Sequence, residues 1–151
     1  VATRLRKSNK QTSSVGLWVG YSLKYLDEDG RSGFAKQVAI EPTNSSKKIA
    51  EAVLSIFRKH YYGQVVRNLG INCTKLQEPN VQQLNMFESV ASIEQDESFN
   101  QAVDEVRSKF GFTKLVYGSS LLDGARAIER SSLVGGHAGG MSGIEGVDDE
   151  S

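Results

Sequence analysis

The stretch SVGLWVGYSLKY, Ser14 to Tyr25, alternates with a period of two over ten residues. Val15, Leu17, Val19, Tyr21 and Leu23 fall on one side, and Gly16, Trp18, Gly20, Ser22 and Lys24 on the other. A helix would scatter these apolar side chains around its axis, whereas a strand gathers them on one face. So long a run fixes a half-buried strand near the start of the chain, and the remaining elements must cover its apolar side.

The surrounding segments supply those elements. VATRLRKSNKQ reads as a helix end, with Val1 and Leu5 one turn apart. DEDGRSG is a turn; its D-x-D-G resembles the start of a calcium loop, but the rest of that loop is missing, so it is read as a hairpin tip. FAKQVAIEP is a second strand, closed by Pro42. TNSSKKIAEAVLSIFRKHYYG is a helix capped by Ser45 or Ser46 and stopped by Gly63, with Ile49, Val53, Ile56, Phe57 and His60 at helical spacing. VVRNLGINCTKL is a third strand, with Leu69, Ile71 and Cys73 on one face and Asn68, Gly70, Asn72 and Thr74 on the other. The expected architecture is α+β: an antiparallel sheet with two helices on one face and the opposite face open. Gly16, Gly20 and Gly70 on the open face weaken strands unless another backbone must come close, and a DNA backbone is one such visitor.

Beyond residue 77 the pattern changes. EPNVQQLNMFES, 78–89, is rich in Asn, Gln and Ser, yet it carries Leu84, Met86 and Phe87. SFNQAVDEVRSKFG predicts a helix with a capping box of Ser98 and Gln101 and an apolar stripe of Phe99, Ala102, Val103, Val106 and Phe110. FTKLVYG predicts a short strand and SSLLDGARAIERSSL a short helix interrupted by Gly124. GGHAGGMSGIEGVDDES is a glycine-rich and then acidic tail. The division expected is a domain over 1–77, a linker over 78–94, a helical extension over 95–134 and a tail over 135–151.

Charge sharpens the reading. The chain of 151 residues has no formal net charge, yet Val1–Glu78 holds 13 Lys/Arg against 6 Asp/Glu, and the remainder is correspondingly acidic. Such asymmetry points the first half towards a polyanion. Catalysis finds little support, because the acidic clusters lie in a turn and a tail, no serine has a plausible His/Asp partner and no phosphate-loop pattern occurs. Two histidines and the single Cys73 give no zinc-ligand spacing, and one cysteine fits a reducing compartment. No apolar run approaches the roughly 20 residues of a membrane span, so no membrane partner is expected. The start at Val1, in mid-helix, suggests a piece of something longer.

The order SVGLWVGYS, turn, FAKQVAIEPTNS, helix, VVRNLGINCTKL resembles the little-finger domain of Y-family translesion DNA polymerases. QQLNMF resembles the pentapeptide with which bacterial polymerases dock on the sliding clamp. FGFTKLVYGSSLLDGARAIERSSLVGGH is similar to the C-terminal segment of the UmuC/ImpB/MucB/SamB branch, especially its Gram-positive members. The resemblance implies a further strand before the first helix, lying beside the last strand. This chain lacks it, so the third strand is expected at a free edge. It also departs from the clamp motif by having Met86 where Leu is usual.

The resemblance implies a function as well: a DNA-binding and clamp-tethering region of a lesion-bypass polymerase of the SOS response. The parent would be a DNA-directed DNA polymerase using magnesium. Its palm and fingers, with the metal-binding carboxylates, are absent, so no catalytic residue, metal ligand or cofactor is assigned here. Clamp contact falls to Gln83, Leu84, Asn85, Met86 and Phe87. Phosphate contact falls to Lys24, Arg31, Lys36, Arg67 and Lys75, with Asn68, Asn72 and Thr74 as hydrogen-bonding neighbours and Trp18 on the same face. Lys7, Lys10, Lys47 and Lys48 read as solvated helix-end charges. The partners implied are template-primer DNA and the sliding clamp, in the cytoplasm at the nucleoid; the last forty residues are candidates for contact with a recombinase filament or another regulator. The rival readings are a stand-alone protein-interaction module that recruits a partner to the clamp, and a metal-dependent nuclease using the acidic tail.

Overall fold

The computed structural model describes residues 1–22, 25–79 and 90–132. The chain divides into two compact units, Val1–Glu97 and Ser98–Ser151. The first is α+β. A short helix α1 (Ala2–Lys7) leads into strand β1 (Gln11–Tyr21), followed by β2 (Gly33–Thr43), helix α2 (Ser46–His60) and β3 (Val66–Gln77). The three strands form one antiparallel sheet in the order β2-β1-β3, so the strand with the strongest alternation is the central one.

The apolar side of β1 makes the core. Val15, Leu17, Val19 and Tyr21 are buried, and α1 and α2 cover them. Val15 packs with Leu5 of α1 and with Ile49 and Ala52 of α2. One turn further along α2, Ile56 packs with Leu17, Val19 and Tyr21, flanked by Phe34, Val53, Phe57 and Val66. Each such side chain contributes about 1.5–3 kcal/mol on full burial. The expectation of two helices on one face of an antiparallel sheet holds. Arg6 fastens the pair: its guanidinium donates to the Asn44 carbonyl at 2.7 Å and the Ser46 hydroxyl at 3.2 Å, at the start of α2.

The helix ends follow ordinary capping physics. Ser45 is the N-cap of α2, and its Oγ accepts from the Lys48 amide at 3.4 Å. The helix stops at His60 with an extended Tyr61, ahead of Gly63, whose φ of 91° serves the turn into β3. Pro42 does not close β2, which continues to Thr43. The edge position leaves its missing N–H without consequence, and a register shift between Thr12 and Ser14 accommodates the extra residues. The acidic hairpin tip is tied to itself. The Asp27 carboxylate accepts from the amides of Asp29 at 3.0 Å and Arg31 at 2.7 Å, and Gly30 turns the chain at φ 73°.

Helix α3 spans Val90–Phe110, so it begins eight residues before Ser98. The residues from Ala91 to Glu97 contain no Gly or Pro and propagate the helix, which places Ser98 in its interior and removes the expected capping box. Val103 of the expected stripe is buried, whereas Phe99 and Phe110 are exposed.

In the second unit FTKLVYG is no strand. It holds a 3-10 turn over Phe112–Lys114, followed by another over Gly118–Leu121 and a short helix α4 (Ala127–Ser131). Arg107 organises this segment instead. Its Nε donates to the Leu115 carbonyl at 2.8 Å, and its guanidinium lies 4.8 Å from the Phe112 ring centre and 5.1 Å from that of Tyr117. A local segment folded around one cation needs no ladder partner, and that replaces the strand.

Candidate nucleic-acid interface

The sheet face opposite the helices is set by the register. Across β1 and β3 the pairs are Gly16 with Asn72, Trp18 with Gly70, and Gly20 with Asn68. Directly opposite residues in an antiparallel pair share a face. Each pair therefore matches one glycine with one larger side chain, and the order alternates along the strands. A Cβ on Gly16 would collide with the Asn72 carboxamide, and one on Gly20 with that of Asn68. A Cβ on Gly70 would sit 3.5 Å from Cε3 of Trp18. The larger residue of each pair lies down over the glycine of its neighbour. On the other flank β2 presents Gln37, Ala35 and Gly33 beside Gly16, Trp18 and Gly20. The result is a face of low relief without a charged side chain at any of these nine positions.

The glycines have a use within the chain as well: the side chains of Asn72, Asn68 and Trp18 lie over them. Gly33 is different, because an added Cβ there would meet the Val19 carbonyl oxygen.

The expected phosphate ligands do not all share this face. Asn68 and Asn72 lie on it, and Thr74 continues the same alternation opposite Ser14. Trp18 is 47% exposed there. Arg67 has no partner in β1, since the register shifts between Gly20–Asn68 and Tyr21–Val66. It is an extra residue in the strand, exposed towards one end of β3. Lys75, towards the other end, follows Cys73 of the helix side by two residues and has a φ of 51°, its carbonyl accepting from the Ser13 hydroxyl at 3.2 Å. Arg31 stands at the hairpin tip, ion-paired with Asp29 at 3.0 Å; both are exposed.

Lys36 belongs to the opposite side. It pairs across from the buried Leu17, and its charge acts on His60 of α2, whose imidazole is pushed below its ordinary value by burial first and then by Lys36 and Lys59. Lys24 and the clamp residues Gln83, Leu84, Asn85, Met86 and Phe87 lie outside the described residues. Among the helix-end cations, Lys10 pairs with Glu78 at 3.3 Å.

The sequence placed Gly16, Gly20 and Gly70 on one face and Asn68 and Asn72 with them, but it did not pair them. The missing information was the register, which follows from the whole hydrophobic pattern and not from either strand alone. Gln37 and Ala35 were missed for the same reason.

Among the described residues no group of three or more His, Cys, Asp or Glu side chains is placed to hold a metal ion. No helix among them is long and apolar enough to cross a membrane. Cys73, half-buried on the helix side of β3, has its thiol pushed up by burial, and so is held in its unreactive form.

Comparison with known proteins agrees with the fold. The impB/mucB/samB family C-terminal domain matches residues 1–86. The chain is 33% identical to DNA polymerase IV 2 of Bacillus subtilis (strain 168), over 87% of this chain and 31% of that protein. It is 32% identical to the putative UV-damage repair protein UvrX of the same organism, over 91% of this chain and 32% of the relative. DNA polymerase IV 2 of Halalkalibacterium halodurans is 24% identical over 87% of the chain. The chain thus spans about a third of the length of these curated relatives. No solved structure gives a significant match. The expected resemblance to a translesion-polymerase C-terminal region is borne out, and the chain belongs to the impB/mucB/samB family through that family's C-terminal domain.

Proposed function

We propose that the first unit grips the backbone of template-primer DNA through its open sheet face, as part of a lesion-bypass DNA polymerase whose catalytic domains and magnesium site lie elsewhere in the parent protein. The observation that carries this is the low, uncharged face, bordered by an edge strand with an exposed cation near each end. Asn68, Asn72 and Thr74 offer hydrogen-bonding groups on it, and Arg67 and Lys75 are exposed towards the two ends of β3. A face of this kind lets a phosphate chain approach closely, and its cations hold that chain without reading bases. Sequence-independent contact suits a polymerase that must work on damaged templates. The names of the relatives, a DNA polymerase and a putative UV-damage repair protein, support the same reading.

The second element of the proposal is a tether. Residues 83–87 dock on the bacterial sliding clamp and keep the polymerase at the primer end in the cytoplasm. Three apolar side chains there are worth on the order of 5–8 kcal/mol gross on burial, much of which ordering and association consume. A weak, exchangeable contact remains.

Fluorescence anisotropy with a labelled duplex tests the DNA reading. With about four phosphates neutralised, log K falls against log salt with a slope of roughly −3 to −4. Arg67→Ala and Lys75→Ala each lower affinity on all sequences alike and reduce the slope by about one. Lys36→Ala, on the helix side, has the smaller effect. A flat salt response, or strong preference for one sequence, contradicts the proposal.

A further inference from the structure

The indole of Trp18 reaches two glycines of the open sheet face. Its Cε3 lies 3.5 Å from the Cβ position of Gly70 on β3, and its Cζ2 lies 3.3 Å from that of Gly20 on β1. These two carbons are para to each other on the six-membered ring. Two carbons of the ring thus stand within 3.5 Å of the Cβ positions of two glycines on neighbouring strands, and the residue remains 47% exposed.

Two carboxamides flank it on the same face. Asn68 and Asn72 lie two residues either side of Gly70, the direct partner of Trp18. Neither side chain makes a hydrogen bond among the described residues, and each carries both donors and an acceptor. The chemistry is that of a flat aromatic platform with amide groups at its rim and cations, Arg67 and Lys75, beyond them.

We infer that Trp18 is a stacking site for an unpaired nucleobase, with Asn68 and Asn72 placed to bond the edges of the stacked base, so that this face takes single-stranded DNA as well as duplex backbone. The inference rests on the proposal that the face meets DNA. A phosphate chain has no use for a π-face, and a continuous duplex has none to offer except at its ends. An unpaired base has one, and base–aromatic stacking is tolerant of sequence because every base is flat. The positive balance of Val1–Glu78 favours a nucleic-acid strand over an acidic or neutral protein surface at this face.

Trp18 is the single tryptophan of the chain, so its emission reports on the site directly. The full chain is titrated with an oligo-dT strand of about ten nucleotides, within the span of single-strand binding folds. A strand of equal length made wholly of abasic residues serves as the comparison, because it keeps the phosphates and removes the bases. Oligo-dT is expected to quench the emission saturably, and the abasic strand to leave it unchanged. Trp18→Ala is expected to weaken oligo-dT binding by about five- to a hundredfold while leaving abasic binding as it was. Trp18→Phe keeps an aromatic ring and retains most of the affinity, and a thermal melt of each variant confirms that it is folded.

Equal affinity for the two strands with unmoved emission, or a neutral Trp18→Ala, overturns the inference while abasic and duplex binding keep the backbone proposal standing. Absence of binding to the abasic strand and to duplex alike brings down the backbone proposal itself, and the stacking site with it.

Discussion

Trp18 of β1 and Gly70 of β3 are direct cross-strand partners, and Cε3 of the indole lies 3.5 Å from the Cβ position of Gly70. At 3.5 Å a single methyl is an ordinary contact, but the branches of a valine would not fit beneath the ring. Gly70→Ala is expected to be near neutral. Gly70→Val is expected to lift Trp18 into solvent with little loss of stability, since the strand gains a β-branched residue and the indole was half-exposed already. Gly33→Ala behaves oppositely. Its Cβ meets the Val19 carbonyl oxygen, so the backbone of the central strand must move, at a cost of about 1–3 kcal/mol. Urea unfolding separates the two, and acrylamide quenching of the one tryptophan reports the lifted ring. A Gly70→Val variant with an unchanged quenching constant contradicts this account.

The contrast between these glycines shows what the sequence carried. Alternation in β1 located the core residues Val15, Leu17, Val19 and Tyr21, and helical spacing located Ile49 and Ile56, because burial imposes those periods directly. Lys36 shows what was overlooked. In FAKQVAIEP it alternates with Phe34, Val38 and Ile40, the apolar side, and its pairing with Leu17 places it on the covered side. Ser98 shows a second limit. A capping-box pattern marks where a helix can start, and good helix formers upstream of it let α3 start earlier. FTKLVYG failed because a strand needs a partner, and Arg107 instead gathers Phe112, Leu115 and Tyr117 around itself.

His60 makes stability depend on pH in a definite direction. Burial, with Lys36 and Lys59, holds its folded pKa below the ordinary 6.5. The unfolded chain therefore takes up the proton first as the solution is acidified. This contribution to stability is complete above 6.5 and is lost as pH falls through that value towards the lower folded one. Unfolding midpoints between about pH 7 and about pH 5 are expected to fall in the unmodified chain and to fall less in His60→Gln, whose side chain does not titrate. Lys36→Met removes one of the charges and should give an intermediate slope. A steeper fall in His60→Gln would refute the assignment.

Strand β3 stands at the edge of the three-stranded sheet, and its helix-side residues are poorly covered. Leu69 is 53% exposed and Ile71 38%, although their partners Val19 and Leu17 are buried. Such an edge offers a row of backbone donors and acceptors to another strand. In hydrogen exchange the β3 amides directed away from β1 are expected to exchange quickly, and those of Leu17–Tyr21 in the central strand slowly. The same edge predicts concentration-dependent dimerisation, which light scattering detects, and Ile71→Lys should suppress it by placing a charge beside the pairing strand. Uniform protection along β3 in a monomeric sample would mean that the edge is already paired.

Clamp docking rests on the apolar cluster of residues 83–87. Leu84, Met86 and Phe87 stand in a stretch otherwise rich in Asn, Gln and Ser, where exposing three large apolar side chains has a cost unless a partner takes them. Phe87→Ala is expected to remove about 2–3 kcal/mol of burial, which turns a micromolar contact into one about a hundredfold weaker. Leu84→Ala combined with it should leave nothing measurable. Met86→Leu restores the residue usual in the motif that QQLNMF resembles and fixes a stiffer side chain of similar volume, so it should tighten binding slightly. Duplex affinity, read on the same proteins, should stay constant, because the proposed DNA face lies on β1, β2 and β3 and includes none of these residues. A surface-immobilised bacterial sliding clamp gives the affinities directly. If Phe87→Ala binds it as tightly as the unmodified chain, the apolar cluster is not the tether.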